Sequence, residues 1–155
     1  MARARWRSVR REGGGLAIRP ERPWDGWGAS LITSTIMPQV RISNVRELAH
    51  GETRKYTFER TGELREGFLL RYGDTFVAYL NECRHWRVDL DAGEGRFFSA
   101  KLNRIYCRTH GACYVPLTGE CDFGPCAGER LEQFDVHLEG EDAIVNIPEL
   151  GHARK

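Results

Sequence analysis

From Pro38 onward the chain alternates apolar and polar residues in short runs, each closed by a glycine-containing or charged turn. In QVRISNV, Val40 and Ile42, with Val45 beyond them, mark such a run, and in RKYTFER Tyr56 and Phe58 alternate with polar residues. A period of two residues is the mark of a half-buried strand. GFLLRYGDTFVAYL holds two apolar and aromatic runs around Gly73-Asp74 and predicts a hairpin that turns there. LEQFDVHLEGEDAIVNI predicts another, closed by Glu139-Gly140-Glu141-Asp142. LNRIYC and CYVPLTGECDF add shorter strand-like pieces, the second bent at Pro116 and at Thr118-Gly119. Only NVRELAHGE has helical character, and it is short. The predicted fold class is all-β, a small antiparallel sandwich or barrel of short sheets.

The first residues break this pattern. Gly13-Gly14-Gly15, Pro20 and Pro23 interrupt any regular element, so residues 1–37 are expected to form a basic, poorly ordered leader. Residues 38–148 form the predicted domain, and 149–155 a tail. Met37 offers an alternative translation start, and Trp6, Trp24 and Trp27 are candidates for packing on the body or on a partner. Of the 23 basic and 22 acidic residues, seven arginines and three acids lie in residues 1–36. The remainder has 16 basic and 19 acidic groups, a mildly acidic body without the basic face that nucleic acid requires. No apolar run approaches the roughly 20 residues needed to cross a bilayer; the longest, Phe76 to Leu80, has the length of a strand. No membrane association is expected.

Five cysteines, an odd count without an export signal, argue against a disulfide scaffold and for a metal or redox role in the cytoplasm. Two of them precede histidines at close spacing: Cys83-Arg84-His85 and Cys107-Arg108-Thr109-His110, with 21 residues between the pairs. Strand-like sequence leads into each pair, so each can occupy a loop tip. Two thiolates and two imidazoles can hold one zinc in a tetrahedron. They can equally hold a two-iron cluster, with both sulfurs on one iron and both nitrogens on the other. One sulfur followed by one nitrogen on each loop suits the second arrangement, because each loop then touches both irons.

The C-x-H and C-x-x-H pattern resembles the signature of the Rieske [2Fe–2S] proteins. His110-Gly111-Ala112, Pro116-Leu117-Thr118-Gly119 and Phe123-Gly124-Pro125, the last like the proline-containing loop that covers the cluster, extend the likeness over residues 38–148. The resemblance implies a Rieske iron–sulfur domain with a cluster-binding subdomain of two loops. It also implies a [2Fe–2S] cofactor held by Cys83, His85, Cys107 and His110. The spacer between the pairs is longer than is usual in the family, and DAGEGRFF is expected to bulge outward as a surface loop.

Charge explains the histidines. A two-iron, two-sulfide core with four thiolates is a dianion when oxidised; exchanging two thiolates for neutral imidazoles makes it neutral, and an electron is then added more easily. The high-potential members of the family place Ser and Tyr two and four residues after the second His and carry an extra cysteine pair between the loops. Here those positions are Ala112 and Tyr114, and Cys113 has no partner in the first loop, where Val88 stands. Cys113, Cys121 and Cys126 are expected to pack in the interior, and His50, His137 and His152 to be solvated. The outer imidazole nitrogens of His85 and His110 are expected at the surface. Arg84, Trp86, Arg87 and Arg108 are expected to shield the cluster or to form a docking patch.

Only eight residues follow Ile147, too few for a catalytic iron domain, and no G-x-G-x-x-G follows a strand. The expected function is electron transfer as a soluble ferredoxin-like carrier between a reductase and a terminal oxygenase, a component of an oxidoreductase system rather than a stand-alone catalyst. The alternatives are the small Rieske subunit of a larger redox enzyme, of the nitrite-reductase type, and a zinc-stabilised interaction module. Without the serine hydroxyl and the extra cysteine pair, the midpoint potential should fall in the lower half of the span of about −150 to +300 mV. Protein-film voltammetry giving a couple above about +200 mV would contradict this.

Overall fold

The computed structural model describes residues 37–148. Expectations for the leader before Met37, including its three tryptophans, and for the tail 149–155, including His152, lie outside the described residues. Among the described residues the strands are β1 (Gln39–Ile42), β2 (Thr53–Arg60), β3 (Glu63–Tyr72), β4 (Thr75–Leu80), β5 (Phe98–Ser99), β6 (Arg104–Tyr106), β7 (Cys113–Tyr114), β8 (Cys121–Phe123), β9 (Gln133–Glu139) and β10 (Asp142–Asn146). They form two antiparallel sheets, a six-stranded one in the order β1-β10-β9-β4-β3-β2 and a four-stranded one in the order β5-β6-β7-β8. No described helix is long and apolar enough to cross a membrane.

Both predicted hairpins form where expected. β3 and β4 meet around Gly73-Asp74, with Tyr72 opposite Thr75, and β9 and β10 meet with Glu139 opposite Asp142. Tyr56 and Phe58 of β2 are buried, with Thr57 between them and Glu59 beyond them exposed, as their alternation requires. The helical-looking NVRELAHGE shrinks to one 3-10 turn over Val45–Glu47. Val45 and Leu48 are both buried, Asn44 is left-handed, and the Val45 N–H bonds to the Glu141 carbonyl at 2.8 Å. The chain must reverse from β1 to β2 while sinking two apolar side chains, which leaves no length for a helix.

The six-stranded sheet curls on itself, and its free edges, β1 and β2, line a common cleft. Inside the curl lies one core, with Ile42, Tyr56, Phe58, Leu69, Ala78, Phe134 and Val145 among its members. A second core lies on the other face of β3 and β4, where Phe68, Leu70, Val77 and Tyr79 meet Leu90, Phe97, Ile105, Tyr114 and Leu131. The register makes this division strict: Phe68 faces Tyr79 and Leu70 faces Val77 on one side, while Leu69 faces Ala78 on the other. A strand covered on both faces needs no polar positions, which is why GFLL and FVAYL read as continuous apolar runs rather than alternating ones.

The spacer between the two Cys/His pairs only partly bulges. Ala92 to Arg96 are exposed, but Asp91 and Phe97 at either end are fully buried, which corrects the expectation of a surface loop for all of DAGEGRFF. Phe97 stacks on Phe68 with ring centroids 4.0 Å apart and planes within 8°. This pair ties the small sheet to the large one. Phe68→Ala should lower stability by about 3–5 kcal/mol, measured by urea unfolding, with little change for substitutions at exposed Ala92.

Candidate metal centre

Two loops leave the ends of strands and curl toward each other. The first follows β4 and carries Cys83 and His85; the Cys83 N–H bonds to the Val88 carbonyl at 2.8 Å and closes its turn. The second follows β6 and carries Cys107 and His110. There the Cys107 N–H bonds to Ala112 O at 2.8 Å and the Gly111 N–H to Cys107 O at 2.9 Å. Gly111 takes φ +73, in the left-handed region that a residue with a side chain enters only at a cost. The Arg108 N–H bonds to Leu90 O at 2.8 Å, so the loops are joined directly.

The four side chains predicted from sequence come together as two pairs. Cys83 and Cys107 are both wholly buried. Their thiols interact: the neighbouring Cys107 sulfur, then the Tyr114 hydroxyl, lowers the pKa of Cys83, while that of Cys107 is raised. The pair therefore loses its first proton readily, as a metal-binding dithiol must. The rings of His85 and His110 stand edge to face, with centroids 4.9 Å apart. Nδ1 of His85 is buried and has no hydrogen-bond partner. A buried, unpaired ring nitrogen costs free energy, and a bond to a metal would satisfy it. Among the described residues no three His, Cys, Asp or Glu side chains cluster as around a single ion. Two adjoining sulfurs and two facing imidazoles are the donor set of a two-iron centre.

A third loop covers the site. Gly124, at φ +112, lies so close to the second loop that a Cβ there would stand 2.8 Å from Cα of Ala112. The expected burial of Cys113, Cys121 and Cys126 holds, and the five described cysteines are free thiols. Tyr114, four residues after His110, places its hydroxyl 3.2 Å from the Cys83 sulfur.

At the surface the histidines differ. His110 is exposed, as expected, whereas His85 is half-buried because Trp86 stacks on it at 5.3 Å with planes 19° apart. Trp86 also meets His110 edge-on at 5.2 Å and is itself 63% exposed. Arg84 and Arg87 are exposed, while Arg108 pairs with Glu94 of the spacer at 2.9 Å. Of the histidines expected to be solvated, His137 is exposed beside Glu139, and His50 is exposed but accepts the Gly73 N–H at 2.9 Å.

A family model described as Rieske [2Fe-2S] domain matches residues 39–141. The chain belongs to the Rieske family. Its cofactor is accordingly a [2Fe–2S] cluster. No curated protein matches the sequence. Among solved structures, the ferredoxin of carbazole 1,9a-dioxygenase from Nocardioides aromaticivorans IC177 is similar at 28% identity and TM-score 0.53, over 70% of this chain and 96% of that one. A chain in the complex of reduced oxygenase and oxidized ferredoxin in carbazole 1,9a-dioxygenase matches with TM-score 0.56 at 22% identity, over 70% and 92% of the two chains. A longer chain in the reduced complex between oxygenase and ferredoxin of carbazole 1,9a-dioxygenase, of which 28% is covered, matches with TM-score 0.55 at 16% identity. At these lower identities the likeness is one of fold.

The sequence reading of this Rieske domain missed the group that fixes the first loop. Asp91, wholly buried, accepts hydrogen bonds from Asn81 Nδ2 at 3.0 Å, Gly95 N at 2.8 Å and Lys55 Nζ at 3.3 Å. Asn81 in turn accepts the Leu90 N–H at 2.9 Å, so the two ends of the loop are held together. The signal in the sequence was slight: an aspartate beside an apolar residue and before Ala92-Gly93. Burial alone would raise the Asp91 pKa, but the bonds from Asn81, Gly95 and Lys55 outweigh it and hold the carboxyl below its usual value. A depressed folded-state pKa gives stability that is fully present above the ordinary carboxylate pKa near 4 and is lost as pH falls through the folded value. Asp91→Asn should therefore lose about 1–3 kcal/mol at neutral pH and show a shallower loss of stability on acidification than the parent, read by urea unfolding at a series of pH values.

Proposed function

We propose that this Rieske protein is an electron carrier of the ferredoxin type that serves a terminal oxygenase, and that Cys83, His85, Cys107 and His110 hold its cluster. In this reading Cys83 and Cys107 bind one iron and His85 and His110 the other. When bound, the cluster supplies a site that accepts and releases single electrons at a potential above that of all-cysteine ferredoxins. The observation that carries the assignment is a wholly buried thiol pair together with a facing imidazole pair whose Nδ1 at His85 is otherwise unpartnered.

The chain's own residues do the rest. Two loops joined by the Arg108–Leu90 bond position the donors, and the third loop, seated on Ala112, keeps water from the sulfurs. Tyr114 offers its hydroxyl to Cys83. His110, at the surface, is the edge that a redox partner meets. The ferredoxin character of the similar structures supports the carrier role over that of a tightly held subunit. The reading further takes residues 38–148 as the functional domain, with 1–37 and 149–155 outside it, and places the protein in the cytoplasm.

The test is anaerobic reconstitution of the full chain. The expected product is brown, holds equal iron and acid-labile sulfide, and gives a rhombic EPR signal only when reduced; Cys83→Ala and His110→Ala should each abolish it. Mixed with a Rieske-type terminal oxygenase, the reduced protein should be re-oxidised in a single turnover. A colourless protein that binds zinc would overturn the cluster assignment, and a cluster-loaded protein inert toward oxygenases, yet isolated in a stable complex, would overturn the carrier role.

A further inference from the structure

The three loops that meet at the site carry charge of one sign. Residues 83–88, 107–112 and 123–127 hold three of the 16 basic residues of positions 37–155 and none of the 19 acidic ones. The rest of that stretch has 13 basic groups against 19 acidic. A body with an excess of carboxylates thus ends in a basic tip. Arg84, between the two donors of the first loop, is exposed, and its guanidinium makes no bond among the described residues. The Arg87 side chain is 88% exposed and approaches only Glu82, at 3.8 Å, a carboxylate already bonded to Arg65. The first acid past it, Asp89, lies beside Glu66 and Glu82 in the cleft that Arg87 borders. Arg84 is therefore the least compensated of these charges. The loops are closed by backbone groups, so neither guanidinium is needed to hold them. Between the two arginines Trp86 lies against both imidazoles and leaves most of its ring in solvent.

We infer that this tip is the docking surface for the redox partner and that the partner's matching face is acidic: Arg84 and Arg87 draw its carboxylates in beside the open His110, around the exposed indole of Trp86. The inference deepens the carrier reading above and rests on it. Arginine and tryptophan are the residues that protein interfaces favour. Opposite charges on facing surfaces speed encounter and set its orientation. The acidic body adds to this, because it repels the same partner and leaves the tip as the favoured approach. A partner with a basic face would instead be drawn to the body, away from the imidazoles.

The experiment uses two one-electron acceptors of opposite charge on the reduced, cluster-loaded full chain: ferricyanide, an anion, and tris(phenanthroline)cobalt(III), a cation. Stopped-flow oxidation is followed from about 0.01 M to about 1 M salt, over which the Debye length falls from about 30 Å to about 3 Å. Iron and sulfide are assayed on every sample. The parent should react with ferricyanide about tenfold faster at low salt than at high salt, and with the cobalt complex more slowly at low salt. Arg84→Glu should flatten the ferricyanide dependence and Arg84→Lys should keep it. Arg54→Glu, the same change of net charge at an exposed position on β2, should also keep it. Fluorescein-labelled poly-L-glutamate, standing for an acidic protein face, should lose more affinity from Arg84→Glu than from Arg54→Glu, read by fluorescence anisotropy. The inference is overturned if the cation reacts faster at low salt, as a partner with a basic face would require. It is equally overturned if Arg84→Glu and Arg54→Glu alter the salt dependence alike, or if poly-L-glutamate does not distinguish them. Should Arg84→Glu fail to load, Arg87→Glu takes its place in every comparison. A parent without iron would overturn the cluster assignment and this inference together; a loaded parent with the adverse salt dependence overturns this inference alone.

Discussion

Phe68 and Leu70 leave β3 on one side and Leu69 on the other, and their partners Tyr79, Val77 and Ala78 do the same on β4. This single pair of strands is therefore the wall between two cores. Neither core could be dry without it, since each draws some of its largest side chains from the shared hairpin. The arrangement also sets where the chemistry goes. The first Cys/His loop follows β4 directly, so Cys83 stands three residues from this doubly covered wall. The Tyr79 hydroxyl donates to Pro116 O at 2.9 Å, which ties the segment after the second loop to the same wall.

A rigid frame matters because the site brings together groups that would not assemble without a reason. Two thiols in the interior repel once both are ionised, and a buried imidazole nitrogen without a partner is unfavourable. The fold holds them in place through backbone bonds in each loop, the Asn81–Asp91 clamp and the seating of Gly124 on Ala112. On the proposed assignment a metal core would relieve this conflict, and the backbone bonds already in place would preorganise its donors. Ion pairs away from the site, such as Arg60 with Glu132 across β2 and the approach to β9, are part-buried and join elements distant in sequence. They stiffen the barrel and take no part in the chemistry.

Much of this was legible in the residues. The hairpins at Gly73-Asp74 and Glu139 to Asp142 follow from local turn chemistry, and the pairing of Cys83 with Cys107 and of His85 with His110 follows a spacing that few other uses explain. Tyr114 could be placed beside the cluster by its offset from His110. Three things could not be read. The 3-10 turn at Val45–Glu47 is set by the need to bury Val45 and Leu48 against the barrel end, a tertiary demand that overrides local preference. Phe97 looked like part of a surface loop because its stacking partner, Phe68, lies in a distant strand. The Lys55–Asp91 contact joins β2 to the first loop, and no local pattern reports a pair of that separation.

Trp86 makes the two imidazoles unequal. One has an aromatic ring laid along it, while the other opens to solvent, so the tip of the molecule is lopsided where a symmetric pair of loops would have left it even. A partner that reads the imidazoles finds His110 open and His85 half-covered.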